Sequence, residues 1–303
     1  MSDGSPRRGP DRPRAAAARD QTYAGLRSGF ATLVGRPNVG KSTLLNAILG
    51  RKVSIVSDKP NTTRSAVRGI LHRPGAQVVF VDTPGLHKPR TLLGERLNQA
   101  ATASLEGVDV VVVVVDATAP VGPGDRFVAA RAPSDAVVVV NKIDAAARET
   151  VLAQLERAGE WDLSLYLPVS AVTGEGVEVL VEAIVSRLPE GPPYYPAGVD
   201  SDMPEAVAVA ELVREQLLAV VSDELPHSIA TRVSEWEWPR VRVEILVERD
   251  SQKGIVIGRG GQVLKAVGSA VRAQLDPSIY LELFVKVDKD WQRRASALAR
   301  LGL

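Results

Sequence analysis

The chain has 303 residues, 45% apolar and 24% charged, and its 37 basic and 36 acidic side chains leave a net charge of +1. That length supplies two ordinary domains, each able to bury its own core. Cysteine is absent, which excludes disulfides and thiolate metal sites and fits a reducing cytoplasm.

Residues 1–22 are rich in Arg, Pro, Ala and Asp and are expected to form a solvated, mildly basic tail. They lack the apolar segment of a secretory leader. Short apolar strands follow at 30–34, 67–72, 77–81, 108–116, 136–140 and 164–169, alternating with helical segments. The valine-rich run at 108–115 contains Asp109, is followed by Asp116 and is far shorter than the ~20 residues of a membrane-spanning helix. Strands apolar on both faces require helices on both sides of the sheet. The prediction for 23–188 is therefore an α/β domain with a doubly wound, mostly parallel sheet.

Proline density over 189–204 prevents a continuous helix and predicts a linker. The second domain, 205–303, opens with a helix carrying Ala210, Val213, Leu217 and Val221 on one face. Two strands are expected at 228–235 and 240–247. A short helix then leads into Gly258–Gly261, followed by a helix over 263–275, a strand over 279–287 and a polar C-terminal helix.

Gly35-Arg-Pro-Asn38-Val39-Gly40-Lys41-Ser42 fits the phosphate-binding pattern G-x4-G-K-[ST], and Thr43 continues into the helix it opens. Glycines let backbone N–H groups converge on phosphate oxygens, Lys41 supplies a point charge, and Ser42 offers a hydroxyl to Mg²⁺. Asp82-Thr83-Pro84-Gly85 ends the next strand but one; Asp82 can hold Mg²⁺ through water, and the Gly85 N–H can sense a γ-phosphate. Asn141-Lys142-Ile143-Asp144 ends a later strand. A carboxylate at 144 accepts hydrogen bonds from guanine N1–H and its 2-amino group, and adenine offers neither donor. Past the following strand come Ser170 and Ala171, whose N–H is placed to meet guanine O6.

This ordered set resembles the translation-factor-related GTPases, which implies GTP and GDP as ligands. The resemblance also implies that a threonine of the 58–64 loop, Thr63 or its neighbour Thr62, joins Ser42 and Asp82 at Mg²⁺. Few apolar anchors hold that loop, as expected of a segment ordered by nucleotide. Many small GTPases place a water-orienting glutamine directly after D-x-x-G. Leu86 stands there, so the sequence is similar to the hydrophobic-substituted type. Asn38 resembles an asparagine that binds K⁺ in some of these enzymes.

In the second domain Gly258-Arg259-Gly260-Gly261 lies between two helices and after two strands. A G-x-x-G loop there admits a nucleic-acid backbone beside an apolar groove for about four bases. Ile257 precedes the loop, and Lys253, Arg259 and Lys265 bring positive charge to it. Over 205–303, however, acidic and basic side chains balance at 14 each, so RNA affinity rests on local clustering. Trp236, Trp238 and Trp291 could stack on bases, although tryptophans near strand ends more often pack into the core.

The segment resembles a type II KH domain. A single GTPase domain followed by one KH domain resembles the Era family of ribosome-assembly GTPases, over about 29–292. The resemblance is carried by GRPNVGKST, NTTR, DTPGLHKP, NKID and VSA, then by ELPHS, IVIGRGG and VKVDKDW. It implies binding to the 3′ end of 16S rRNA, assistance to 30S subunit assembly, a monomer, and a cytoplasmic location with peripheral contact to the inner membrane. The long tail and the charge-neutral second domain depart from the family pattern. A competing reading is a membrane-associated signalling GTPase whose C-terminal domain binds protein; an ATP-using P-loop enzyme is disfavoured by Asp144.

Overall fold

The computed structural model describes residues 25–59, 62–64, 67–85, 91–221 and 225–303, apart from the side chain at 227. Two compact units emerge. One takes the described residues of 1–54, 66–87 and 97–202, the other those of 55–65, 88–96 and 203–303.

The first unit is built on β1 (Arg27–Val34), α1 (Lys41–Leu49), β2 (Val67–Arg73), β3 (Ala76–Asp82), α2 (Leu92–Ala103, whose first turn groups with the second unit) and β4 (Val110–Asp116). It continues with α3 (Pro123–Ala129), β5 (Val137–Asn141), α4 (Arg148–Gly159), β6 (Leu165–Val169) and α5 (Val177–Arg187). The strands are ordered β2-β3-β1-β4-β5-β6, and only β2 runs antiparallel to its neighbour. Valines of β4 show why the sequence selects a central strand. Val112 and Val114 pack toward Leu44 and Leu45 of α1 and Leu180 of α5, while Val111 and Val113 join Val128 of α3 and Ala158 of α4. A strand buried on both faces has no use for alternation.

The expected linker is not free chain as far as Asp202. Gln77, nearly fully buried, accepts at Oε1 from the Tyr194 and Tyr195 N–H groups (2.7 and 3.0 Å) and donates from Nε2 to the Tyr195 carbonyl (2.8 Å). The Tyr194 ring packs edge-on against Phe30 at 4.7 Å, and the Ile70 N–H donates to Asp200 O at 2.9 Å. Proline blocks helix there but permits extended chain, which pairs along the sheet edge. The units part between 202 and 203.

The second unit holds α6 (Glu205–Val220), α7 (Leu225–Ser228), β7 (Ala230–Glu237), β8 (Arg240–Val247), α8 (Asp250–Ile257), α9 (Gln262–Arg272), β9 (Tyr280–Val287) and α10 (Ala295–Arg300). Strand β8 is central, antiparallel to β7 and parallel to β9. Val209, Val213, Leu217 and Val221 of α6 and its C-terminal end meet Val241, Val243, Ile245, Val256, Val267 and Val271 in one core. Trp291 is fully buried and donates from Nε1 to Ser228 O at 2.9 Å, and Trp236 packs against the core. Of the three tryptophans weighed for base stacking, Trp238 is the exposed one, at 63%. Of α10, expected to be polar, Ala297 and Leu298 are buried.

Candidate functional site

The phosphate loop runs from the end of β1 to the first residue of α1, so the unpaired N–H groups of that helix terminus face it. Gly40 has φ 93°, and a Cβ there would meet Asn141 Nδ2 at 2.4 Å, so both backbone sign and space require glycine. Lys41 is buried and donates from Nζ to the carbonyls of Gly35 (3.1 Å) and Arg36 (2.9 Å). Burial pushes its pKa down to about 8, against the opposing pull of Asp82. A polyphosphate would supply the negative charge that this site lacks.

The Ser42 hydroxyl donates to Asp82 Oδ2 at 3.0 Å, and the Ser54 hydroxyl donates to the same oxygen at 2.8 Å. Ser54 is held in turn by Asn46, whose Oδ1 accepts from Val53 N (2.8 Å) and Ser54 N (2.9 Å) and whose Nδ2 donates to Ser54 O (2.8 Å). Sequence reading missed Ser54 and Asn46, because neither belongs to a recognisable spacing. Hydroxyl and carboxylate oxygens converging in a buried corner form a hard donor set that suits Mg²⁺. Thr83 is anchored by its hydroxyl to Leu33 O at 3.2 Å. Pro84 and Gly85 follow, with Gly85 packed so closely on Pro37 that a Cβ would lie 2.8 Å from its nitrogen. Leu86 lies outside the described residues.

The base-recognition groups are linked to the phosphate loop. Asn141 Nδ2 donates to Val39 O at 2.9 Å, and Asn141 Oδ1 accepts from the Ala171 N–H at 3.1 Å. That N–H, expected at guanine O6, here serves Asn141. Ser170 accepts from Thr173 N (3.0 Å) and donates to Asp144 Oδ1 (2.6 Å), which orients an otherwise exposed carboxylate. Lys142 Nζ reaches the Asn38 carbonyl (2.7 Å) and Asp116 Oδ2 (2.5 Å). Asp116 served the sequence reading only as a flank of the valine run. Burial alone would raise its carboxyl, but hydrogen bonds from Lys142 and Thr118 outweigh that and hold it below the ordinary carboxylate range.

Thr62 and Thr63 belong to the second unit. The Thr62 hydroxyl donates to Lys59 O at 2.6 Å, its carbonyl accepts from Arg214 Nη2, and Thr63 is buried. Arg64 donates to Ile229 O (2.5 Å) and Pro226 O (3.2 Å) and lies over the Trp291 ring at 5.6 Å. The Val56 N–H donates to Glu215 Oε1 at 3.0 Å.

The second candidate surface is the Gly258–Gly261 loop between α8 and α9. Gly258 has φ 75°, and a Cβ would strike Val263, whereas Cβ atoms on Gly260 and Gly261 would meet open space. The tip of the loop is therefore unobstructed. Arg259 and Lys265 are exposed, and Lys253 and Ile257 are half-buried. Ile255 on α8, the first residue of the IVIGRGG segment, is also exposed.

Family models match in two places: a 50S ribosome-binding GTPase model over residues 30–142 and a KH domain model over residues 224–292. GTPase Era of Mycobacterium tuberculosis (strain ATCC 25618 / H37Rv) is 48% identical over 295 residues, covering 91% of this chain and 98% of that protein. The chain belongs to the Era family of GTPases. GTPase Era of Mycobacterium avium (strain 104) is likewise 48% identical, over 91% of this chain and 99% of its own. Among solved structures, a tyrosine-to-alanine variant of Aquifex aeolicus Era bound to GDP and tetrafluoroaluminate matches at TM-score 0.86 and 37% identity, covering 91% of this chain and 99% of that one. Era in complex with MgGDPNP and nucleotides 1506–1542 of 16S ribosomal RNA matches at TM-score 0.87, with the same identity and coverage. The chain is thus a GTPase domain followed by a KH domain.

Proposed function

We propose that this GTPase binds the 3′ region of 16S rRNA through its KH loop and assists 30S subunit assembly, with the bound nucleotide setting its state. The observation that carries this reading is the unobstructed Gly260–Gly261 tip flanked by Arg259 and Lys265, in a chain similar over 91% of its length to an Era–16S rRNA complex. In the nucleotide site, the α1 N-terminus and Lys41 bind phosphate oxygens, and Asp144, oriented by Ser170, accepts from the guanine edge. Ser42 and Asp82 would hold Mg²⁺, which supplies charge neutralisation at the phosphates, and the family resemblance implies Thr63 or Thr62 as a further ligand. Hydrolysis of GTP by water gives GDP and phosphate. With leucine in place of the usual glutamine, the attacking water must be oriented by groups other than the side chain at 86. The exposed Asn38 beside the phosphates is the candidate K⁺ ligand, which makes K⁺-dependent turnover the check on that assignment.

No described helix is long and apolar enough to cross a membrane. A monomer, cytoplasmic and in peripheral contact with the inner membrane, fits the family resemblance. The test titrates protein loaded with GDP or a non-hydrolysable GTP analogue into RNA matching the 16S 3′ end, with a scrambled RNA at the same salt. Tighter, sequence-selective binding in the GTP state is expected. Equal weak binding to both RNAs would reassign the KH surface to a protein partner.

A further inference from the structure

The carboxylate of Asp82 is fully buried, and a buried carboxylate is stable only with donors around it. Its Oδ2 accepts from two hydroxyls that lie apart in the chain: Ser42 at 3.0 Å, inside the phosphate-loop pattern, and Ser54 at 2.8 Å, outside it. All three residues belong to the first unit. Ser54 is the more deeply buried of the two serines, although its near neighbours Arg51 and Lys52 are open to solvent.

One side chain carries Ser54 to that position. Helix α1 ends at Gly50, whose φ of 65° turns the chain back, and the Arg51 N–H donates to the Asn46 carbonyl at 3.2 Å. The Asn46 side chain then takes hold of the returning chain. Its Oδ1 accepts from the Val53 and Ser54 N–H groups (2.8 and 2.9 Å), and its Nδ2 donates to the Ser54 carbonyl (2.8 Å). Two N–H donors at one end and a carbonyl at the other fix which way round the amide lies. Each of these bonds goes to backbone, so the turn is held without the Ser54 hydroxyl. That hydroxyl goes to Asp82 instead.

We infer that Ser54 is a positioning residue of the metal site: its hydroxyl, brought in by Asn46, fixes the Asp82 carboxylate in the orientation that serves Mg²⁺. This role rests on Ser42 and Asp82 holding Mg²⁺, as proposed above. A hydroxyl donated to an ionised carboxylate is a strong, directional bond, and it favours one orientation of the group over the others. Groups that orient a metal-holding side chain in this way commonly govern metal affinity by about tenfold or more. No recognisable spacing marks Ser54, since it reaches Asp82 across 28 residues.

The test measures release of a fluorescent GDP analogue from the full chain, over a Mg²⁺ titration and in excess EDTA. It compares wild type with Ser54→Ala, Ser54→Cys and Asp82→Asn. Alanine deletes the hydroxyl and leaves the Asn46 bonds to backbone in place. Cysteine puts a weaker donor in nearly the same space and serves where alanine destabilises the chain. The Mg²⁺ concentration that half-slows release is expected to rise about tenfold in Ser54→Ala and by less in Ser54→Cys, with release in EDTA within about twofold of wild type. Asp82→Asn should raise that concentration further. No rise in Asp82→Asn would remove the carboxylate from the metal site, and the role of Ser54 with it. A rise in Asp82→Asn with wild-type values in both Ser54 variants would overturn the role of Ser54 alone. Release accelerated equally in Mg²⁺ and in EDTA would make Ser54 a residue of the fold only, and would overturn that role as well.

Discussion

Arg36 Nε lies 2.7 Å from Asp125 Oδ1 and ties the phosphate loop to the first turn of α3. The other carboxylate oxygen accepts from the Gly122 N–H at 2.9 Å, and Asp125 is only 1% exposed. Gly124 lies so close to the Arg36 side chain that a Cβ would approach its Cδ to 2.6 Å. The Arg36 carbonyl, in turn, accepts from Lys41 Nζ. One ion pair thus fixes the loop from outside while its lysine fixes it from inside.

Arg36→Ala leaves a buried carboxylate with one donor fewer, at a cost of about 1–3 kcal/mol. The expected result is a melting temperature lower by several degrees and GDP release about tenfold faster. Arg36→Lys should recover the charge but only part of the release rate, since lysine lacks the planar fork. Stopped-flow release of a fluorescent GDP analogue makes the comparison. Release unchanged in Arg36→Ala would show that the pair stabilises the fold without positioning the loop.

Asp144→Asn replaces an acceptor pair with one acceptor and one donor, and the donor faces guanine N1–H. Guanine preference should fall by ~10³-fold or more and shift toward xanthine nucleotides. Ser170→Ala removes the hydroxyl that orients the carboxylate and should weaken GDP binding by roughly fivefold, in keeping with one neutral hydrogen bond. Competition binding with GDP, ADP and XDP measures both effects. Intact guanine selectivity in Asp144→Asn would refute the assignment.

Spacing and strand position made the first domain legible, because its chemistry falls where parallel strands end and its core comes from uninterrupted valine runs. Supporting contacts were not legible. Asp116 and Ser54 meet Lys142 and Asp82 across 26 and 28 residues, Asn46 acts through Ser54, and nothing in their local pattern marks them. Residues 189–202 misled for another reason: proline argued against helix, while Tyr194 and Tyr195, side chains a solvated linker does not need, were the sign of docking. Trp291 followed the more common course of tryptophans near strand ends, since its indole N–H finds Ser228 O inside the second core.

The Lys142–Asp116 pair gives a pH-dependent signature. Asp116 titrates below its ordinary value of 3.8 in the folded state because donors from Lys142 and Thr118 outweigh its burial. A carboxyl with a depressed folded pKa contributes stability above its unfolded pKa, and that contribution is lost as pH falls through the folded value. Asp116→Asn should therefore cost about 1 kcal/mol at pH 7, with the penalty shrinking below about pH 4. Urea unfolding of both proteins at pH 7, 4 and 3 reads this directly. A penalty that grows toward pH 3 would contradict the pairing.

Charge at the KH loop should be visible in salt dependence. The second domain carries 14 acidic and 14 basic residues over 205–303, so its electrostatic attraction for RNA must be local. Arg259 and Lys265 are exposed beside a loop whose last two glycines leave room for a backbone. If each neutralises one phosphate of a single strand, replacing either with glutamine should flatten the slope of log K against log salt by about 0.7. Reversing Lys253, Arg259 and Lys265 together to glutamate should abolish binding of the 16S 3′ RNA while GTP hydrolysis without RNA stays unchanged. Filter binding at four salt concentrations measures the slope. Full affinity in the triple variant would remove this loop from the RNA interface and favour a protein ligand for the domain.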